Sequence, residues 1–380
     1  MTSRTAAAQE HLAWVDLLRI AACFLVVFSH CCDPFVARFD EDPESFFTGV
    51  CLGSLVRPCV PLFVMMTGVL LLPVRERMGA FYRKRLGRLL PPLVGWSLLL
   101  PLLFFAYLAC IAPGTQNPAI AGDHSWAGTL VKLRTFLFNF NFDTTPLWYL
   151  YMLAGLYLAM PLLSDWLRHA DRREMRLFLR VWGLTLLLPY AGMIAPVLGY
   201  AGNYGNPGLF GVCDWNQFGT FYYVSGFIGY LVLAHYLVRF PLVWSRRKLL
   251  WAGSGMFLAG YLVTMLGYLF MQRRYPGNYA YLEIVWYFAG INVFLMTFPI
   301  FVAISRIRIR PRPWIARIAA LTFGIYLCHF VFVAAAYDLF DRPGLPPVVR
   351  IAAMSVTAFI VSGGLVWLLR RFAPTRPLVS

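Results

Sequence analysis

Three ionisable residues stand in one apolar stretch, VDLLRIAACFLVVFSHCC at residues 15–32: Asp16, Arg19 and His30. Charge at bilayer depth is costly, so such groups ordinarily mark a substrate path or a site. Arg19 and His30 are eleven positions apart. At about 100° per residue that is three turns plus about 20°, which puts both on one helical face, roughly 16 Å apart along the axis. Asp16, one turn before Arg19, is placed to pair with it. An arginine suits phosphate and an imidazole suits proton transfer. The spacing therefore predicts an anion held at one depth and acid–base chemistry at another.

The second apolar stretch adds Arg57 in LVRPCVPLFVMMTGVLLL, at a depth comparable to Arg19, beside Pro58 and Pro61, which break the backbone ladder. Then comes FYRKRLGRLLPPL, with Lys84 and, one turn apart on one face, Arg85 and Arg88. Alone, this cluster reads as a topology signal or a lipid-phosphate contact. Beside Arg19 and Arg57 it also reads as the entry for a phosphorylated cytoplasmic ligand.

The elements that must position these residues are membrane helices. Of 380 residues, 60% are hydrophobic and 13% charged, where a soluble domain carries about 25% charged residues. Continuous apolar runs of about 18 residues or more predict spanning helices rather than a β-barrel. We read an all-α, polytopic helical membrane protein with about ten spans, near 12–32, 47–72, 89–112, 146–167, 177–198, 217–238, 249–271, 281–304, 315–337 and 347–369. The whole chain, 1–380, reads as one membrane domain without repeats and without an appended soluble domain. The net charge of +16 does not point to nucleic acid. Its arginines and lysines concentrate in every second loop, which predicts cytoplasmic N- and C-termini and contact with membrane lipid. No metal-type spacing of Cys and His exists, so no metal is expected. Cys23, Cys51, Cys59, Cys110 and Cys328 fall in apolar runs and read as packing residues. A disulfide among Cys31, Cys32 and Cys213 is left open.

Five stretches in order resemble the acyltransferase family 3 integral membrane proteins. WVDLLRIAACFLVVFSH is similar to the family's first helix, VPLFVMMTGVLLL to its second, and FYRKRLGRLLPP to its basic loop with a spaced arginine pair. LWYLYMLAGLYLAMPLL and FGIYLCHFVF are similar to its fourth and ninth. FGTFYYVSGFIGY and the ending RPLVS further resemble the subgroup that includes the enterobacterial common antigen O-acetyltransferase. The resemblance implies transfer of an acyl group, usually acetyl, from cytoplasmic acyl-CoA to a sugar hydroxyl of an envelope polysaccharide or its lipid-linked precursor. It also implies a bacterial inner membrane, and polysaccharide-assembly proteins become possible partners. The family's histidine maps to His30, its arginine to Arg19 and its arginine pair to Arg85 and Arg88.

On this reading Lys84, Arg85 and Arg88 hold the nucleotide phosphates of acetyl-CoA, and Arg19 and Arg57 guide its arm toward His30. His30 acts as general base on the sugar hydroxyl or as a transient acyl carrier, with direct transfer slightly preferred. A carboxylate should orient its ring. Of Asp33, Glu283 and Asp338 the preference falls on Glu283, alone within its apolar run, with His329 as a supporting neighbour. Trp148, Tyr149, Tyr222 and Tyr223 are the candidate faces for a saccharide. The competing reading is a transporter or flippase with an Arg/His-lined path, but internal repeats typical of transporters are not seen.

Overall fold

The computed structural model describes residues 3–137, 141–199, 209–213, 216–342 and 344–380; of these, the side chains of 3–12, 192, 195–197, 209, 279–281 and 283 lie outside the description. The described residues form α-helices joined by short 3-10 and π turns, without a β-strand. Among the described residues eight helical stretches are long and apolar enough to cross a membrane.

That is fewer than the ten expected, and the shortfall lies in two places. The run at 177–198 is two short helices, α7 (Arg172–Thr185) and α8 (Leu188–Val197). Pro189 supplies no N–H, so the ladder restarts there. The run at 217–238 opens as a 3-10 turn, Gly219–Val224, and becomes α-helical only in α9 (Ile228–Arg239). Gly226 between them has φ of +71°, a left-handed conformation that ends one helix-like segment before the next begins. Other expected spans are interrupted as well. The second is α2 (Pro43–Leu55) and α3 (Cys59–Leu71), separated at Val56–Pro58, because proline disfavours helical geometry in the residue before it.

Contacts divide the chain into two compact units. The first comprises Met1–Val56, Glu76–Ala159 and Arg308–Ser380. Its central element is α1 (Ser3–Val36), which packs on α2, α13 (Pro313–Ala319), α14 (Thr322–Phe340) and α15 (Pro347–Leu369). The contact stripe is Val15, Leu18, Ala22 and Val26, each at most 4% exposed, at the three-to-four spacing of one helical face. With that face turned inward, Asp16, Arg19 and His30 are only partly buried on the neighbouring one. α4 (Met78–Ala106) begins earlier than expected, so the basic stretch is itself helical, and α4 packs on α5 (Trp126–Arg134) and α14. The first half of α6 (Trp148–His169) completes this unit.

The second unit, Arg57–Arg75 and Met160–Ile307, packs α3 on α9 and α10 (Arg246–Arg274) on α12 (Ile291–Ser305), with the short α11 (Tyr279–Trp286) against α10. Small residues bring these helices together. A Cβ on Gly68 would lie 2.6 Å from the Leu231 carbonyl oxygen, and one on Gly260 2.3 Å from that of Asn292. At the second contact the buried Asn292 amide donates to Thr264 Oγ1 at 2.8 Å and to the Val285 carbonyl at 2.6 Å, which satisfies both of its hydrogens. No disulfide forms among the described cysteines, so the one left open above for Cys31, Cys32 and Cys213 is not made. Cys110 is exposed rather than packed inside.

Candidate active site

The continuous α1 carries Arg19 and His30 on one face as the spacing requires, and the two ends of that face are built differently. Toward the N-terminus, Asp16 Oδ1 and Arg19 Nη1 are 3.8 Å apart, each side chain about one-third exposed. The expected pair forms, but loosely. Arg19 also lies within electrostatic reach of Tyr157 on α6, as does Arg85 on α4. Phe81 packs edge-on against Tyr157, ring centroids 6.1 Å apart, and the Arg85 guanidinium sits 5.9 Å from the Phe81 ring. Arg19 and Arg85 therefore converge on one aromatic patch.

Arg85 is half-buried, and its Nε has no partner among the described residues. A guanidinium offers five donors in a fixed fork, so one left unpaired inside the protein is poised for an anion. The other two basic residues differ. Arg88 is exposed, and Lys84 is exposed and paired with Glu76. The hydrogen bond from Lys84 holds the Glu76 carboxyl below the usual carboxylate range. Of the three expected phosphate contacts, Arg85 alone turns inward.

Arg57 belongs to the second unit. It is buried, donates from Nε and Nη2 to the Trp286 carbonyl at 3.2 and 2.9 Å, and lies against the rings of Trp286 and Phe288. These contacts give it a structural task at the break between α2 and α3.

At the far end of the face, His30 Nδ1 is 2.8 Å from Asp33 Oδ2. A carboxylate can only accept, so Nδ1 carries the hydrogen and Nε2 presents a lone pair. The His30 side chain is 19% exposed and that of Asp33 39%, so the free nitrogen is reachable. Pro34, in the last turn of α1, cannot donate to the His30 carbonyl, which loosens the helix there. Of the other two carboxylates considered, Asp338 accepts from the Tyr107 hydroxyl and from Thr115 Oγ1. The side chain of Glu283, on α11 of the second unit, lies outside the described residues.

His329 of α14 stands beside His30, ring centroids 5.3 Å apart, and Phe330 packs edge-on against His30 at 5.2 Å. Tyr326, one turn earlier, packs on His329 at 5.9 Å and on Tyr149 of α6 at 5.6 Å, and Tyr149 packs edge-on against Trp148. Tyr149 is thus linked to His329 through Tyr326, with Trp148 one ring further out. Tyr222 and Tyr223 meet edge to face in the 3-10 turn of the second unit, both exposed.

Sequence reasoning passed over a second constellation. Asp143 is wholly buried and takes His124 Nε2 on one oxygen and Lys132 Nζ on the other, each at 2.7 Å. It ties the 113–145 segment to the histidine pair through aromatic rings, Phe142 packing on Phe330 at 5.1 Å. The only sequence signal was Asp143 ending the aromatic run TFLFNFNFD. Asp33, by contrast, was legible as the residue one turn after His30, the spacing already used for Asp16 and Arg19.

Among the described residues no group of His, Cys, Asp and Glu is arranged to hold a metal ion. No curated protein and no solved structure matches this chain. A family model does: the acyltransferase domain model of acyltransferase family 3 matches residues 12–367, a range that includes His30, Asp33, Arg19, Arg85 and His329. With nearly the whole chain matched, this all-helical protein belongs to the acyltransferase family 3.

Proposed function

We propose that the protein transfers an acyl group, acetyl by its subgroup resemblance, from cytoplasmic acyl-CoA to a hydroxyl of an envelope saccharide or its lipid-linked precursor, in a bacterial inner membrane with both termini cytoplasmic. The observation that carries this reading is the His30–Asp33 pair on the same face of α1 as Arg19, with Arg85 turned toward the Arg19 end. The axial rise from Arg19 to His30 is about 16 Å, enough for an extended thiol arm between an anion site and a base.

In this reading Arg85, with its unpartnered Nε, and Arg19 hold phosphate. The Asp33 carboxylate keeps the hydrogen on His30 Nδ1 and supports the charge that appears when Nε2 takes a proton. His30 Nε2 accepts the proton of the sugar hydroxyl, whose oxygen attacks the thioester carbonyl. The carbon–sulfur bond breaks and the leaving sulfur recovers the proton from Nε2, so His30 returns to its starting state. Trp148 and Tyr149 offer the saccharide an aromatic wall. Base catalysis of this kind contributes typically 10²–10⁴-fold in rate.

The test is to compare acyl transfer by Asp33→Asn and Glu283→Gln in purified protein given acetyl-CoA and short saccharide acceptors. The reading expects a loss of about 10²-fold or more for Asp33→Asn and near-normal rates for Glu283→Gln. The reverse order would assign the orienting carboxylate to Glu283 and break the proposed dyad.

A further inference from the structure

His329 is buried completely, yet only half of its hydrogen-bonding capacity is used. Nδ1 lies 2.7 Å from the Tyr326 carbonyl oxygen, an acceptor, so Nδ1 bears the hydrogen. Nε2 is then a bare lone pair, and no donor meets it among the described residues. A buried acceptor without a partner is costly to keep and asks for an explanation. Tyr326 does not supply the donor, because its hydroxyl is given to the Pro146 carbonyl. The remaining neighbour is the His30 ring, 5.3 Å away with planes inclined at 39°. That is not a stacked pair. It is close to the separation of two imidazoles joined edge to edge by one N–H···N bond of about 2.9 Å.

We propose that His329 is a positioning residue for His30, whose Nε2 lone pair receives the N–H that His30 acquires during acyl transfer. In the resting state both histidines present lone pairs from Nε2 and have nothing to exchange. When the acceptor hydroxyl gives its proton to His30, the O–H bond breaks and an N–H bond forms. The imidazolium turns this N–H onto His329, so its two hydrogens are held by the Asp33 carboxylate and a neutral imidazole. The proton then passes from His30 to the departing sulfur. His329 itself gains and loses no proton, because its Nδ1 hydrogen stays on the Tyr326 carbonyl. The inference deepens the reading above and rests on His30 being the base. The ionisable groups around the pair are Asp33 on α1, Tyr326 on α14 and Tyr149 on α6. His124 and Asp143 lie two aromatic rings away, behind Phe330 and Phe142.

The test follows modification of His30 by diethyl pyrocarbonate, which attacks only unprotonated imidazole, by peptide mass spectrometry across pH on full-length protein in detergent. His329→Asn keeps a donor for the Tyr326 carbonyl but deletes the Nε2 lone pair; His329→Gln places a carbonyl oxygen where Nε2 was. The expected result is that the Asn variant moves the midpoint of the His30 reaction to lower pH by about one unit, since a hydrogen bond to a charged group is lost. The Gln variant should recover most of that shift. The acid limb of the acyl-transfer rate should move with it. An unchanged midpoint in a His329→Asn protein of normal thermal stability would overturn the proposal, and so would an equal shift in both variants. If the Asn variant does not fold, His329→Phe gives the same comparison. His30→Ala separates the two claims. If it still transfers acyl groups while the midpoint depends on His329, the base assignment fails and the coupling stands. If it is inactive and the midpoint ignores His329, only the coupling fails.

Discussion

Replacing Asp143 by Asn should release the 113–145 segment from the first unit. The carboxylate is fully buried and accepts two N–H groups, one from His124 and one from Lys132, whose side chains are only 9% and 10% exposed. Asn keeps the shape but supplies one acceptor oxygen and two donors. One of the two N–H groups would therefore face an NH2, and the Lys132 ammonium would lose its counter-charge. Breaking one side of a buried ion pair costs about 3–5 kcal/mol. The slight exposure of Lys132, which lets the ammonium reach toward water, puts the expectation near the low end, about 3 kcal/mol. At 1.4 kcal/mol per factor of ten, local opening should rise about a hundredfold. The assay is limited proteolysis at residues 113–125, in the regime where cutting reports the population of the open form. Adding Lys132→Met should recover part of the loss, because removing the whole pair is less costly than orphaning one member. A change below about threefold in the single variant, or no recovery in the double, would refute the reasoning.

In the second unit, a Cβ on Gly229 would stand 2.0 Å from the Trp182 ring, which is buried and donates to the Gly226 carbonyl at 2.8 Å. Gly229→Ala should therefore lower stability by about 1–3 kcal/mol, read as a fall in the thermal midpoint. Arg85→Gln should weaken acetyl-CoA binding by about tenfold or more in a direct binding measurement, and Arg88→Gln by much less, because only Arg85 is turned inward with a free donor. The Glu76–Lys84 contact is exposed and titrates with a definite sign. Glu76 has its folded value lowered by the Lys84 hydrogen bond, so the stabilisation is present above the unfolded carboxyl range and is lost as pH falls through the lowered value. Wild type and Glu76→Gln should then differ slightly in thermal midpoint at neutral pH and converge in acid, once the pH has fallen through that lowered value.

The sequence exposed what depends on one helix. The shared face of Arg19 and His30 and the Asp16–Arg19 pair are fixed by the α-helical period alone, and α1 runs unbroken through all three residues. By the same rule Asp33 could have been preferred as the partner of His30. The preference for Glu283 came instead from its isolation in an apolar run, a criterion that carries no information about distance. Contacts between helices were not legible. Nothing in FGIYLCHFVF says that His329 meets His30, or that its Nδ1 is taken by Tyr326. The Asp143 cluster joins residues up to 19 apart through a loop whose path the hydropathy pattern does not record. Hydropathy also does not record interruptions. It sees apolar runs at 177–198 and 217–238, but not that Pro189 and a left-handed Gly226 interrupt them. Arg57 read as a ligand group from its depth, and its bonds to the Trp286 carbonyl depend on a segment more than two hundred residues away.

The central claim is that His30 carries the acyl-transfer chemistry as a base held by Asp33. The most direct test incubates purified wild type and His30→Ala with radiolabelled acetyl-CoA, first without and then with saccharide acceptors. The account predicts that both proteins bind the donor, that neither retains label, and that only wild type passes it to an acceptor. Label that stays on wild-type protein and disappears in His30→Ala would contradict the base assignment in favour of an acyl-histidine. Failure of the wild type to bind acetyl-CoA or any longer acyl-CoA would remove the proposed donor altogether.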